Sequence, residues 1–392
     1  MLRAKAEGLF QMFPRGDRGV IRFLGASVRL TDVIGCRWVT PSRHAIWLAA
    51  AVVLAVGCRA EPGRDHGDLL RLAVTAREVV SQSKAFAIPA GAAVVGEYLV
   101  VLDAASDSVI HVLSRTDGTV LVSYGRSGDG PGEFKTAWSV DAPSPDGFWV
   151  FDPTLSRMTY LDLEALLRDP EAVVPRILNL NVEGFLLGPI WMREGWMLSP
   201  GFFGDHRLAK LDESGVMVER VGPPPAGDPL IPPDLRSAIH QGIPTANPRH
   251  DRLVVASTYV PRIEIFDSHG TLLTTAQVPI EWDLRSEDLV SLEGLMVTED
   301  MRSAYLAVTA ANDWFFGLFS GNSSASGKST ELGEYVHVFD WTGRFVGYIG
   351  LEVEAVAISV DPEASILYVL EDDPLPTVSA YRLVGLDSGR EE

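Results

Sequence analysis

Asp103, Asp152 and Asp267 each close an apolar run, and carboxylates gathered at strand ends would supply the oxygen ligands that Ca2+ takes in numbers of roughly six to eight. The competing and preferred reading is that each carboxylate caps its own turn by accepting backbone N–H bonds. No Asp-x-Asp-x-Asp-Gly loop accompanies them, and apart from Ca2+ no cofactor is expected. The histidines after residue 57, namely His66, His111, His206, His240, His250, His269 and His337, are scattered. His111 and His337 share one position in two repeated phrases, but read singly they are packed or solvated residues. Gly-x-Ser-x-Gly, His-Glu-x-x-His and Cys-x-x-Cys are all missing, so the elbow hydrolases and the helix-borne zinc sites lose their usual signals. Asn322 to Ser329 has the look of a phosphate loop, yet Asn322 stands where glycine is needed and a strand, Tyr335 to Phe339, follows in place of a helix. It reads as a flexible Ser/Gly-rich insertion.

Two aromatic segments carry a different chemistry, that of a contact surface. Pro200 to His206 contains Phe202 and Phe203, and Asn312 to Phe319 contains Trp314, Phe315 and Phe316. Rigid rings beside glycines on loops bury much area at little entropic cost, which suits a small molecule, a glycan or a protein partner. The alternative is that the rings fill the core between sheets.

A third chemistry sits near the N-terminus. Ala45 to Val56 is a twelve-residue apolar run behind Arg43 and His44, too short to cross a bilayer of about 30 Å and in the charge order of a secretory signal. Leu54-Ala-Val-Gly-Cys58 ends it and resembles a bacterial lipobox, which makes Cys58 the expected site of lipidation. The 44 residues before the run are too long and too arginine-rich for a leader, so translation is expected to begin near Val39. Residues 1–57 are then the leader and 58–68 a lipidated tether. A folded body spans 69–386 and a tail 387–392. Cys36 falls in the discarded part, and one acylated cysteine leaves no disulfide to form.

Removing residues 1–57 takes eight Lys/Arg from 33 and three Asp/Glu from 52, which leaves 25 against 49 and a net charge of −24. Such a body repels phosphate backbones and anionic lipid, so nucleic acid is excluded as a partner and membrane contact must come through the lipid at Cys58. Arg59 after the cysteine, in place of aspartate, favours the outer membrane facing the periplasm.

The elements that must position these residues are repeats. Val109 to Gly118, Leu208 to Gly215, Ile263 to Gly270 and Val336 to Gly343 share one pattern, an apolar alternating run and a polar turn closed by glycine. Each is followed by a second apolar run, so each reads as a hairpin. Six segments emerge, at about 92–125, 139–180, 184–222, 245–279, 292–350 with an insertion, and 354–383. Leu163 to Arg168 replaces one hairpin turn with a helical one that ends before Pro170. The sixth segment holds three strands, and Arg77 to Ile88 offers an alternating stretch without a neighbour. The two deficits complete each other. The expected fold is all-β, a six-bladed propeller of four-stranded antiparallel blades whose N-terminal strand closes the last blade.

Gly125 to Phe134, reading Gly-Arg-Ser-Gly-Asp-Gly-Pro-Gly-Glu-Phe, is followed by Asp146 to Asp152 and by Ser156-Arg-Met158. This resembles the NHL-repeat and TolB-like six-bladed propeller families of bacteria. The physical logic agrees: glycines permit positive φ at the interblade crossing, Pro131 stiffens it, and Phe134 plugs between sheets. The resemblance implies the fold and an extracytoplasmic binding role in a lipid-anchored, non-enzymatic module of the cell envelope. It also leaves an alternative, a metal-dependent propeller enzyme of lactonase or lyase type, whose ligands gather from several blades at the channel.

Overall fold

In the computed structural model the described residues are 69–224, 233–282 and 301–384, apart from 364, 373 and 374, together with His66 and Leu386. Cys58 and the tether before residue 66 lie outside them. Six antiparallel sheets follow one another along the chain. Blade one is Pro89–Val95, Tyr98–Asp103, Ile110–Ser114 and Val120–Tyr124. Blade two is Ser139–Ser144, Gly147–Asp152, Arg157–Asp162 and Arg176–Asn179. Blade three has a split inner edge, Phe185–Leu186 and Ile190–Trp191, both paired with Met197–Phe203; His206–Leu211 and Met217–Val221 lie outside them. Blade four is Gly242–Ala246, Arg252–Ser257, Ile263–Asp267 and Leu272–Thr275, and blade five is Tyr305–Ala310, Trp314–Phe319, Gly333–Asp340 and Phe345–Ala355. Blade six contributes Ala357–Val360, Ile366–Glu371 and Thr377–Arg382, and its fourth strand is Glu78–Ser81 from the N-terminal side. First strands of neighbouring blades pack on one another, which sets the ring around its axis.

Stacking explains the residue pattern. A second strand is covered on both faces by adjacent blades and is buried throughout, as in Gly147–Asp152, where Phe148 to Phe151 form an unbroken apolar run and Asp152 ends it. An outermost strand such as Val120–Tyr124 returns to alternation. The four turns read from sequence close on Gly118, Gly215, Gly270 and Gly343, whose φ of 69°, 81°, 85° and 85° lie in the left-handed region that glycine tolerates. In three of them the aspartate at the strand end, Asp212, Asp267 or Asp340, accepts N–H bonds from residues two and four further on.

Among the described residues two α-helices interrupt the strands. The helix α1, Leu163–Arg168, replaces the outer turn of blade two and is capped by Asp162, whose carboxylate accepts the Ala165 N–H. The helix α2, Pro233–Ile239, stands between blades three and four. The fifth blade differs from expectation. Trp314–Phe319, whose rings were expected on a loop, is the second strand of the blade, and the inserted residues are 320–332.

The ring is closed beyond the shared blade. Leu72 donates its N–H to the Tyr348 carbonyl on the outer strand of blade five before the chain enters blade six. Across the seam, Arg115 of blade one reaches Tyr368 Oη at 3.1 Å and Asp361 Oδ2 at 3.1 Å in blade six.

Candidate binding site

The Gly-rich crossing between blades one and two shows what an arginine at the head of a third strand does. Arg157 donates from Nη1 to the Asp129 carbonyl at 3.0 Å, and from Nη2 to the Gly130 carbonyl at 3.0 Å and to that of Glu133. Asp152 Oδ2 accepts the N–H groups of Lys135 and Thr136, and Oδ1 that of Leu155. Phe134, buried, plugs the core between blades one and two and packs where a Cβ at Gly125 would fall 2.9 Å from its ring.

The aspartates expected to meet at a metal are spread over three blades and both ends of the ring. Asp103 and Asp152 end second strands, whereas Asp267 ends a third strand and so faces the opposite end. Asp103 accepts four backbone N–H bonds, from Ala87, Ile88, Ala105 and Ser106. Among the described residues no three His, Cys, Asp or Glu side chains converge as a metal site.

The aromatic surface is corrected by burial. Phe315 and Phe316 are fully buried, Phe315 against blade four and Phe316 toward blade six, because the strand that carries them is sandwiched between blades. Phe203 is buried between blades two and three. Only Phe202 and Trp314 are half-exposed. Phe202 stacks on Phe185 at 5.6 Å and touches a small cluster of Ala238, Ile239, Tyr259, Val260 and Met301, through which the end of α2 covers the cleft between blades three and four.

A regularity of the third strands leads into that cleft. The residue that pairs with Val101, Val150, Ser199, Val255, Gly317 or Val369 of the second strand is His111, Thr159, Ala209, Glu264, His337 and Ser379 in blades one to six. Every one is buried, and five are polar. His111 Nδ1 is 2.8 Å from Ser123 Oγ, and its Nε2 lies 4.0 Å from Asp103 Oδ2. Despite the residue types this is no nucleophile array: the Asp103 oxygens are committed to backbone, and the His–Asp gap exceeds a hydrogen bond. His337 Nδ1 meets Tyr305 Oη at 3.0 Å. A further polar knot lies at the other end of the ring. There Asp141 accepts the Trp191 N–H at 2.9 Å and His250 Nδ1 meets the Trp191 carbonyl at 2.5 Å, and burial raises the Asp141 carboxyl against the opposing pull of His250.

Glu264 makes the strongest of these arrangements. It is 1 % exposed and lies between two arginines: Arg207 Nε donates to Oε2 at 2.6 Å, and Arg262 donates to Oε1 from Nε at 3.1 Å and Nη2 at 3.0 Å. Burial alone would raise the Glu264 carboxyl, but the two guanidinium groups hold it below the usual range. Arg207, also 1 % exposed, stands near the start of its third strand as Arg157 does in blade two, yet among the described residues its Nη1 and Nη2 have no partner. Beside it, His240 Nδ1 and Ser257 Oγ are also buried without partners. Gly242 borders them; a Cβ there would stand 3.1 Å from Arg207 Nη2. Sequence reading passed over Arg207. The available signal was Glu264, a charge in the apolar phrase at the position of His111 and His337.

Burial, and after it the charge of Arg207, lowers the His240 pKa from 6.5 to about 4. Between those values the unfolded chain takes up a proton that the folded chain refuses, so stability is retained above pH 6.5 and falls as pH drops toward 4. The full loss is about 3 kcal/mol. Urea unfolding at pH 7.5, 5.5 and 4.5 should show this fall in the wild type and a shallower one in His240→Asn.

A ring of six stacked sheets, closed by a strand from each end of the chain in one blade, defines a six-bladed propeller. The chain belongs to the TolB-like six-bladed propeller family, whose model matches residues 72–363. Among solved structures it is similar to a Bacteroides fragilis protein described as a "putative exported protein", with 13% identity and a TM-score of 0.51 over 80% of this chain and 96% of that one. It is also similar to Kuenenia stuttgartiensis hydrazine synthase, with 10% identity and a TM-score of 0.44 over 78% and 97% of the two chains. The likeness is one of fold. No curated protein sequence matches the chain. No helix among the described residues is long and apolar enough to cross a membrane.

Proposed function

We propose that this propeller is an exported, lipid-anchored binding module of the cell envelope, held at Cys58 and engaging its ligand at the end of the ring that carries the second-to-third-strand loops and the interblade crossings. The observation that supports this reading most is the placement of α2 over a cleft of incompletely paired charged groups, a costly arrangement for scaffold alone. The lactonase or lyase reading draws nothing from Asp103, Asp152 and Asp267, which are spent on turns and crossings. Anchoring is tested by growing an expressing bacterium with labelled palmitate and fractionating its envelope. The wild type should carry label and sediment with outer membrane, and Cys58→Ala should lose label and appear in the soluble periplasmic fraction. An unlabelled, soluble wild type would refute the anchor.

A further inference from the structure

We infer that Arg207 is the seat of a binding site for a small carboxylate, set between blades three and four. The inference rests on the reading of this end of the ring as the binding face, and adds the ligand class and the residue that takes it.

Blade two supplies an internal control. Arg157 and Arg207 stand at corresponding places in successive blades, each two residues before the register-matched Thr159 and Ala209; Arg157 begins its third strand and Arg207 is the second residue of His206–Leu211. In blade two the Nη1 and Nη2 groups are satisfied by three carbonyls of the Gly-rich crossing. In blade three Nε turns to Glu264 of the next blade, and the Nη1–Nη2 edge is left with no protein partner in a site 1 % exposed. Four N–H donors on a buried cation do not stay unsatisfied, since each unmet donor costs on the order of 1–3 kcal/mol.

The groups around that edge define what meets it. Ser257 Oγ and His240 Nδ1 are further buried atoms without partners, Ser257 pairs in register with Gly242, and the bare Cα of Gly242 is what lets Arg207 Nη2 approach this strand, since a Cβ there would stand 3.1 Å from Nη2 and 2.7 Å from Val255. The charge is wrong for a cation: Arg207 and Arg262 outnumber Glu264, and Arg236 adds a third positive field at His240. Positive charge at this depth, in a chain of net charge −19, selects an anion. With Nε committed to Glu264, the remaining edge offers two parallel N–H vectors, the geometry that grips both oxygens of one carboxylate.

The test is isothermal titration of the folded chain, residues 69–392, with acetate, with succinate and with inorganic phosphate. Saturable binding of a carboxylate is expected, weakened at least tenfold in Arg207→Lys, which keeps the charge for Glu264 but loses the two-pronged edge. Side-chain 15N NMR of the wild type should show the Arg207 Nη signals moving on titration, and this readout stands even if the lysine variant fails to fold. Carboxylate binding that leaves the Arg207 signals and the variant affinity unchanged overturns the site while leaving a binding face in place. Phosphate binding without carboxylate binding overturns the ligand class. No saturable binding of any of the three, with Arg207 signals unmoved, means that water alone satisfies the guanidinium and overturns the inference.

Discussion

A chain that begins at Ile88 in place of Leu69 is expected to lose its cooperative unfolding transition. The missing segment supplies the fourth strand of blade six, in which Glu78, Val79 and Ser81 pair with Ala380, Ser379 and Val378. It also supplies Arg77, which grips Glu371 through Nε at 2.9 Å and Nη2 at 2.6 Å. Glu371 is buried, so losing its cation strands a carboxylate with Ser379 as its remaining side-chain partner, a defect of about 3–5 kcal/mol. Phe86, buried against Leu99, Val101 and Leu113 of blade one and Leu370 of blade six, goes with it, for a similar 3–5 kcal/mol. Together these approach the 5–15 kcal/mol that typically separates folded from unfolded domains. Near-UV circular dichroism and urea unfolding, compared for chains starting at Leu69 and at Ile88, measure the effect. A shorter chain that melts within a few degrees of the longer one would show that the six sheets close without their latch.

Arg207→Ala should destabilise the protein by about 3–5 kcal/mol, because Glu264 is left buried with only the partly exposed Arg262 as its cation. The pH dependence separates this from simple loss of packing. The folded-state pKa of Glu264 is depressed, so its ionic contribution is present above the unfolded value near 4.5 and disappears as pH falls through the folded value. The penalty of Arg207→Ala should therefore be large at pH 7 and shrink in acid. Replacing both partners, Arg207→Met with Glu264→Leu, should recover most of the loss, since a buried pair contributes little net stability beyond what well-packed apolar groups provide. If the double variant is no more stable than Arg207→Ala at pH 7, the charge pair is not what the single substitution breaks.

These predictions also mark where the residues speak and where they are silent. The ring was readable because turns constrain single positions: glycine must take the left-handed φ seen at Gly118, Gly215, Gly270 and Gly343, so the repeats surfaced through their turns. The shared blade was readable from strand deficits at the two ends. Trp314–Phe319 was misplaced because aromatic density near glycine looks the same on a loop and on a strand covered from both sides, and only the flanking blades decide. Arg207 and Glu264 lie 57 residues apart and meet only once blades three and four are stacked. No spacing rule could pair them. What the sequence did carry was a polar residue recurring at one register position in five of the six third strands, a signal visible only after the blades are put in register.

The latch has a mechanical meaning as well. A pull at the N-terminal side of the ring first meets the backbone bonds of residues 70–74 along blades five and six. It then meets the strand Glu78–Ser81, whose hydrogen bonds lie across its length and would have to break together in shear. The part of the chain nearest any anchor is therefore the part best placed to bear load, and tension strong enough to free it would open the ring at one seam while five blades kept their full set of strands.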